Sequence, residues 1–361
     1  MTTIKRWLFV LPVAGLSLAG LVFLSAGCAT SLPRLSETTT ATTAGAASPV
    51  AVSASQPETP LSALPVGGER FDWSGAKAIH PSILRTAFAV EQPRLMKGSC
   101  VRIDLTDTNL RFRATGRAEG WGEPMPECPD KTYRIRTRRQ TVRDFMLESR
   151  KPVSKGGRGL DMRVAVNCSP WGPWEAPWTH KYADQTGLIV SEGELVAPAI
   201  GYPSFIVYTD GSVGFRQVKS SDPITNIQTA VSGFGLCLTN GIIMAENNPA
   251  SLAPRTGFGL SRDRRYLFFF VVDGRQPDYS MGANTYDVAA WMRYYGADDA
   301  MNMDGGGSTT LFCWDPEPDP DNTDPKSKST PNLHKRNRQL NNAERSVACS
   351  LGIYVIGETG R

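Results

Sequence analysis

Seven consecutive residues, Tyr266 to Val272, are aromatic or aliphatic, and the run stops abruptly at Asp273-Gly274-Arg275. A run of this kind is a strand buried within a sheet, so the chain has to build its core around one and bring ionisable groups to that strand's end. Shorter apolar or alternating runs bounded by Gly, Pro, Asp or Ser repeat the signal: Val101 to Leu105, Leu110 to Ala114, Met162 to Val166, Gly187 to Val190, Phe205 to Tyr208, Val213 to Phe215 and Leu351 to Ile356. Only two stretches have helical spacing. One follows Thr141, with Phe145 and Met146 on one face; the other follows Thr285, with Val288, Ala289, Met292 and Tyr295 in phase and a stop at Gly296. The expected class is α+β: a mixed β-sheet core with few flanking helices, in a single large domain.

The N-terminus is of another kind. Lys5 and Arg6 precede an apolar run from Trp7 to Gly27, the charged-then-apolar order of a secretory signal. Leu24-Ser25-Ala26-Gly27-Cys28 resembles the lipobox at which bacterial lipoproteins are cleaved and acylated, which makes Cys28 the lipidated residue. Residues 1–27 are then a signal peptide, and residues 28–68, mostly Thr, Ala, Ser and Pro, a flexible tether with too little apolar area to fold. Residues 69–361 form the folded domain. The expected location is the cell envelope, lipid-anchored and, because Ala29 is not Asp, in the outer membrane where the host has one.

A formal net charge of +4, with bases scattered among acids, gives no support to a nucleic-acid partner. Arg134, Arg136, Arg138, Arg139 and Arg143 form the one dense basic patch, read either as a solvated strand face or as an anion site. Three histidines leave few candidates for an imidazole-ligated metal or a Ser-His-Asp triad. Of seven cysteines, six remain once Cys28 is set aside, an even number that suits disulfides in an exported protein. Cys313 and Cys349 flank residues 315–342, an aperiodic, first acidic and then basic stretch read as an exposed inserted loop, and a bridge between them would close it. Cys168 fits either a bridge to Cys237 or a free thiol.

The chemistry gathers between residues 255 and 310. After the strand ending at Asp273, a helix and a second short strand, Ala300 to Met303, deliver Asp304-Gly305-Gly306-Gly307-Ser308-Thr309. Strand, helix and strand in this order set Asp273 and Asp304 at the same edge of neighbouring parallel strands. Three glycines let successive backbone N–H groups converge on an anion, with the Ser308 and Thr309 hydroxyls beside them. Nothing here is a Walker loop, because no Lys follows the glycines. A plain tight turn, Asp304 capping its own loop, and an oxygen-ligated Ca or Mg site with Asp304 as ligand are the competing readings.

Arg255-Thr256-Gly257-Phe258-Gly259, Val272-Asp273-Gly274-Arg275-Gln276 with Ser280-Met281-Gly282, and Asn302-Met303-Asp304-Gly305-Gly306-Gly307-Ser308-Thr309-Thr310 resemble, in order, the motifs of the phosphodiester glycosidase family. Ile103-Asp104-Leu105, Thr137 to Thr141 with Asp144-Phe145, Ala165-Val166-Asn167 and Glu344 to Ala348 extend the likeness over nearly all of 101–355. Two departures stand out: Cys168-Ser169-Pro170-Trp171 after Asn167, and the long 315–342 stretch.

The resemblance implies a catalytic domain that hydrolyses a sugar-1-phosphodiester at the glycosidic C–O bond, on an envelope or environmental glycoconjugate. It implies Asp304 and Asp273 as catalytic, and Asn167, Arg255, Thr256, Gly274, Arg275, Ser280, Asn302, Gly305, Gly306, Gly307, Ser308, Thr309 and Arg345 as substrate- or phosphate-binding. The chemistry agrees. A phosphate leaving group is a weak base that needs its anionic oxygens stabilised more than it needs a general acid, and guanidinium forks suit it. The ring that becomes cationic needs a carboxylate. No cofactor is required by the sequence. A non-catalytic carbohydrate- or phosphate-binding lipoprotein and a P–O-cleaving phosphodiesterase are the alternatives.

Overall fold

The computed structural model describes residues 63–174, 179–317 and 324–357. The signal segment, Cys28 and the tether as far as residue 62 lie outside them. Ala63 and Leu64, at the tether's far end, already belong to the fold: Ala63 bridges to Gln92, and the Leu64 N–H donates to Gln92 O at 3.0 Å.

Three antiparallel sheets enclose the core. The largest has eight strands in the order Lys77–His80, Ile83–Val90, Met96–Asp104, Tyr266–Val272, Arg255–Leu260, Asp299–Asn302, Gly235–Thr239 and Ile242–Ile243. A five-stranded sheet runs Glu194–Ala197, Ile189–Ser191, Ile227–Ser232, Pro203–Tyr208, Val213–Gln217; another runs Leu333–Lys335, Leu311–Trp314, Asp161–Asn167, Ser350–Val355, Leu110–Ala114. Every predicted run forms a strand. The sheet content nevertheless departs from the α+β expectation: among the described residues there are two α-helices, and neighbouring strands within these sheets pair antiparallel. The fold is mostly β rather than a mixed sheet flanked by helices.

One cluster joins the inner faces of all three sheets, with Phe258, Phe269 and Val271 from the first, Phe205 and Val231 from the second, and Val164, Leu311 and Ile353 from the third. Tyr266–Val272 is buried on both faces because helix α2 (Thr285–Tyr295) covers the outer one, packing Val288, Trp291 and Tyr295 against Phe268 and Phe270. Asn284 caps it in a reciprocal capping box with Asp287, and Gly296 ends it in a left-handed conformation. Helix α1 (Val142–Arg150), capped by Thr141, lays Phe145 and Met146 on the third sheet. Glycines at 257 and 259 admit α2: a Cβ on Gly257 would stand 2.8 Å from Val288, and one on Gly259 2.8 Å from Ala297.

Residues 324–342 correct the exposed-loop reading in part, since several of them are exposed but others anchor the segment in the fold. Asp324, Leu333 and His334 are buried, and Leu333–Lys335 is an edge strand beside Leu311–Trp314. The basic patch is likewise no solvated face. Arg143 is buried against Glu344 and Asp324, Arg136 lies 3.4 Å from Asp184, and only Arg138 of the five is largely exposed.

Cys313 and Cys349 are not bridged, and the sheet order forbids it. Cys313 opposes Val164, which opposes Ile353, four residues along from Cys349. Their strands are separated by a third, so the Cα atoms are on the order of 16 Å apart, against about 7 Å for the widest disulfide. Cys168 and Cys237 also sit in different cores.

Candidate active site

The strand Asp299–Asn302 ends beside the start of Arg255–Leu260, with Gly257 opposite Asn302, while Tyr266–Val272 ends on the other side, with Val272 opposite Arg255. Asp273 and Asp304 therefore do leave the same sheet edge, from strands that run in the same direction. The strands are not neighbours, however: the antiparallel Arg255–Leu260 lies between them and puts Arg255 in the gap. Two strand spacings amount to about 10 Å.

Asp304 is built into the edge from beneath. Its N–H donates to Cys168 O at 2.8 Å, and Asn167 Nδ2 donates to its carbonyl at 2.7 Å. One carboxylate oxygen, Oδ1, accepts from Gly305 N–H at 2.9 Å. The other, Oδ2, is buried with no hydrogen-bond partner, and Ser308 Oγ and Trp171 Nε1 are buried and unpartnered in the same way. Both lie near enough to favour the ionised form, as does the Arg345 charge, but burial outweighs them and pushes the Asp304 carboxyl up to about 6. The Oδ2 oxygen thus has two donors close by without a well-formed hydrogen bond to either, which leaves its charge less satisfied than that of a fully bonded buried carboxylate.

Two guanidinium groups lie over the glycine turn. Arg275 comes within 3.4 Å of the position a Cβ on Gly306 would take, and Arg345 within 2.5 Å of that on Gly307. Arg345 feels both the Asp304 carboxylate and the Arg275 charge. Arg275 holds a left-handed backbone, φ 61°, which costs a non-glycine residue of order 1 kcal/mol and recurs where function dictates conformation. Arg255 is pinned by Ala283 O and Ser251 O at 3.0 and 2.6 Å, with its charge close to that of Arg275. Burial, and then repulsion from Arg275, lower both Arg255 and Arg345 from the usual guanidinium range.

This geometry corrects the amide cradle. Gly305 N–H is held by Asp304, Gly306 N–H by Pro254 O at 2.8 Å, and Ser308 and Thr309 N–H by Gly305 and Gly306 carbonyls, each at 3.2 Å. Of the loop amides through Thr309, only that of Gly307 has no acceptor among the described residues. The glycines serve instead as a floor without side chains, which lets two arginines lie against the backbone. Gly307→Ala should therefore displace Arg345 and lower kcat/KM on a phosphodiester by about tenfold or more with little change in Tm; parallel kinetics and thermal melts check it.

Several expected ligands prove to be struts. Asn167 is fully buried: its Oδ1 accepts from Thr256 Oγ1 at 2.8 Å and Thr310 N–H at 3.0 Å, and its Nδ2 is spent on Asp304. Thr256 and Thr309 are buried in the same network. Ser280 donates to Asp273 O and accepts from Lys97 N–H. Gly274 admits a close crossing of Ala253 and Pro254, and Asn302 leaves its buried Oδ1 without a partner. Asp273 accepts from Arg338 N–H at 2.8 Å and lies beside Tyr279 and Asn337, whose Nδ2 also donates to Thr309 O. Its burial pushes it up to about 7.

Two groups went unassigned in the sequence. Trp171 and Trp174 meet edge to face at 5.2 Å, with Arg139 over the first at 4.4 Å and Arg345 over the second at 5.3 Å. Trp174 is 55% exposed and forms an aromatic wall beside the arginines. Asn337 and Gln339 both donate to Thr309 O, so the 315–342 stretch buttresses the turn after Ser308. Among the described residues no three His, Cys, Asp or Glu side chains converge as a ligand set.

Comparison with known proteins gives likenesses in sequence and in fold. The mouse (Mus musculus) N-acetylglucosamine-1-phosphodiester alpha-N-acetylglucosaminidase is 26% identical over 147 residues, which cover 35% of this chain and 28% of the mouse protein, so the match spans little more than a quarter of that relative. The zebrafish enzyme of the same name, solved as a catalytic domain auto-inhibited by its pro-peptide, shares the fold at a TM-score of 0.50 and 19% identity, over 77% of this chain and 86% of that one. A hypothetical protein from Synechocystis does so at 0.50 and 12%, over 76% and 62%. Residues 174–354, half of the chain and all of the segment that carries Arg255, Arg275, Asp304 and Arg345, match the phosphodiester glycosidase model, and the chain belongs to that family.

Proposed function

We propose that the protein hydrolyses a sugar-1-phosphodiester, of the alpha-N-acetylglucosaminyl-phosphodiester kind, between the anomeric carbon and the phosphate oxygen. The observation that carries this reading is the unengaged, buried Oδ2 of Asp304 next to two guanidinium groups lying on the glycine turn. Arg275 and Arg345 take the phosphate oxygens and stabilise the charge that the leaving group gains. Asp304 faces the opposite charge, which develops on the sugar ring, as nucleophile or as the base that activates water. Trp174 offers an apolar face at the rim. The name of the mouse relative supports the substrate class.

Turnover of N-acetylglucosamine-1-phosphodiesters, with and without a chelator, tests the reading. Release of N-acetylglucosamine that persists in chelator is expected, because cationic stabilisation comes from arginines. Loss of turnover in chelator, restored by Ca or Mg, would make Asp304 a metal ligand instead. We also propose that the protein is an envelope lipoprotein, on the Lys5, Arg6 and Cys28 pattern. Cys28→Ala should move it from the membrane fraction to the soluble one; quantitative retention with membranes would contradict lipidation.

A further inference from the structure

We propose that Cys168 and Cys349 are joined by a disulfide that ties the backbone beneath Asp304 to the segment carrying Arg345. They follow and precede, respectively, the cross-strand pair Asn167 and Ser350, so they stand directly opposite each other on antiparallel chains. The Cys168 N–H donates to Cys349 O at 3.1 Å. Directly opposed residues hold their Cβ atoms about 4.5–5.5 Å apart, within a small backbone shift of the roughly 3.5–4.5 Å that a disulfide takes. The two sulfurs are neighbours as well, since the Cys349 thiol is among the groups that hold the Cys168 thiol in its neutral form.

Neither thiol has another evident use. Both are buried in the central apolar cluster, and no metal-ligand set includes them. Among the other cysteines, Cys313 belongs to a strand two positions away, and Cys100 and Cys237 face the helix-covered side of the large sheet. Cys128 lies in a separate small cluster. The opposed pair is thus the one pairing among the described residues that the strand register allows.

Cys168 O accepts the Asp304 N–H, and its neighbour Asn167 holds the Asp304 carbonyl. Cys349 stands four positions after Arg345, immediately before the closing strand Ser350–Val355. A covalent tie here fixes the supports of the carboxylate and of the guanidinium that faces it, and it closes a long loop, which removes entropy from the unfolded chain.

The bond forms while the chain folds, before burial, with a disulfide oxidant: glutathione disulfide, or an oxidised thiol–disulfide oxidoreductase. One cysteine thiolate attacks the oxidant's disulfide and expels a thiolate. The second then displaces the oxidant's remaining sulfur from the mixed disulfide, so the two thiols lose two protons and two electrons and the oxidant leaves as two thiols.

The test refolds the full chain in a glutathione and glutathione disulfide buffer, alkylates it after denaturation without reductant, and maps peptides by mass spectrometry. Expected is a Cys168–Cys349 cross-linked peptide, two hydrogens lighter than its parts, with Cys100, Cys128, Cys237 and Cys313 alkylated. Melting gives a second readout. Reductant present throughout refolding should lower the wild-type Tm by about 5 °C or more, whereas a Cys168→Ala/Cys349→Ala protein should be insensitive to it. Recovery of both cysteines alkylated, or of either cross-linked elsewhere, overturns the proposal. Because peptide mapping needs neither export nor turnover, it stands apart from any failure of the glycosidase or lipoprotein readings.

Discussion

Asp304→Asn should leave the fold and phosphodiester binding intact and lower turnover by at least about a thousandfold, the scale expected when a carboxylate that acts only in the transition state is neutralised. The change is nearly isosteric. Oδ1 can still accept from Gly305 N–H, and the backbone bonds to Cys168 and Asn167 do not involve the side chain. What disappears is the negative charge at the unpartnered Oδ2. Steady-state kinetics with a binding measurement separate the effects: KM or Kd within a few-fold of wild type, with kcat collapsed. Wild-type turnover in the variant would remove Asp304 from the chemistry. The wild-type pH profile follows from the same group. Burial raises the Asp304 carboxyl to about 6, and the proposed reaction needs its ionised form, so kcat/KM should rise through about pH 6 and be lost below it.

Arg345→Ala should have the second-largest effect, about a hundredfold or more on kcat/KM, because in the proposed reaction Arg345 meets the leaving phosphate, and it also interacts with Asp304. Its charge favours the Asp304 carboxylate, so its loss should also move the acidic limb to higher pH. Arg345→Lys keeps the charge but not the planar fork, and should recover the limb more fully than the rate. A variant with wild-type kcat/KM, or an unmoved limb, would show that Arg345 only packs against Trp174.

Much of this was legible in the chain because it is written in continuous apolar runs and caps. Tyr266 to Val272 reads as a buried strand with ionisable groups at its end, and both helices announce themselves through Thr141 and Gly296. Arg255–Leu260 was harder to read as a strand. Its two glycines look like turn signals, yet they are there because α2 crosses them too closely for a Cβ. Missing that strand is why Asp273 and Asp304 looked adjacent.

The glycine turn misled in a related way. Sequence shows where backbone can go but not what already occupies its N–H groups, and here most are satisfied within the turn and by Pro254. The anchoring of residues 324–342 depends on long-range pairs, Asp324 with Arg143 and Asn337 with Thr309, that no local pattern records. Trp171 and Trp174 are set beside Arg139 and Arg345 by segments far apart in sequence, and nothing local marks that meeting.

The bond that breaks is the centre of the functional reading, and hydrolysis of N-acetylglucosamine-1-phosphodiester in water enriched with oxygen-18 locates it. Asp304 acting at the anomeric carbon, with Arg275 and Arg345 on the departing phosphate, places the new oxygen on C1 of the released sugar and leaves the phosphate unlabelled. Oxygen-18 in the phosphate, with an unlabelled sugar, would mean that water attacks phosphorus and that the site is a phosphodiesterase.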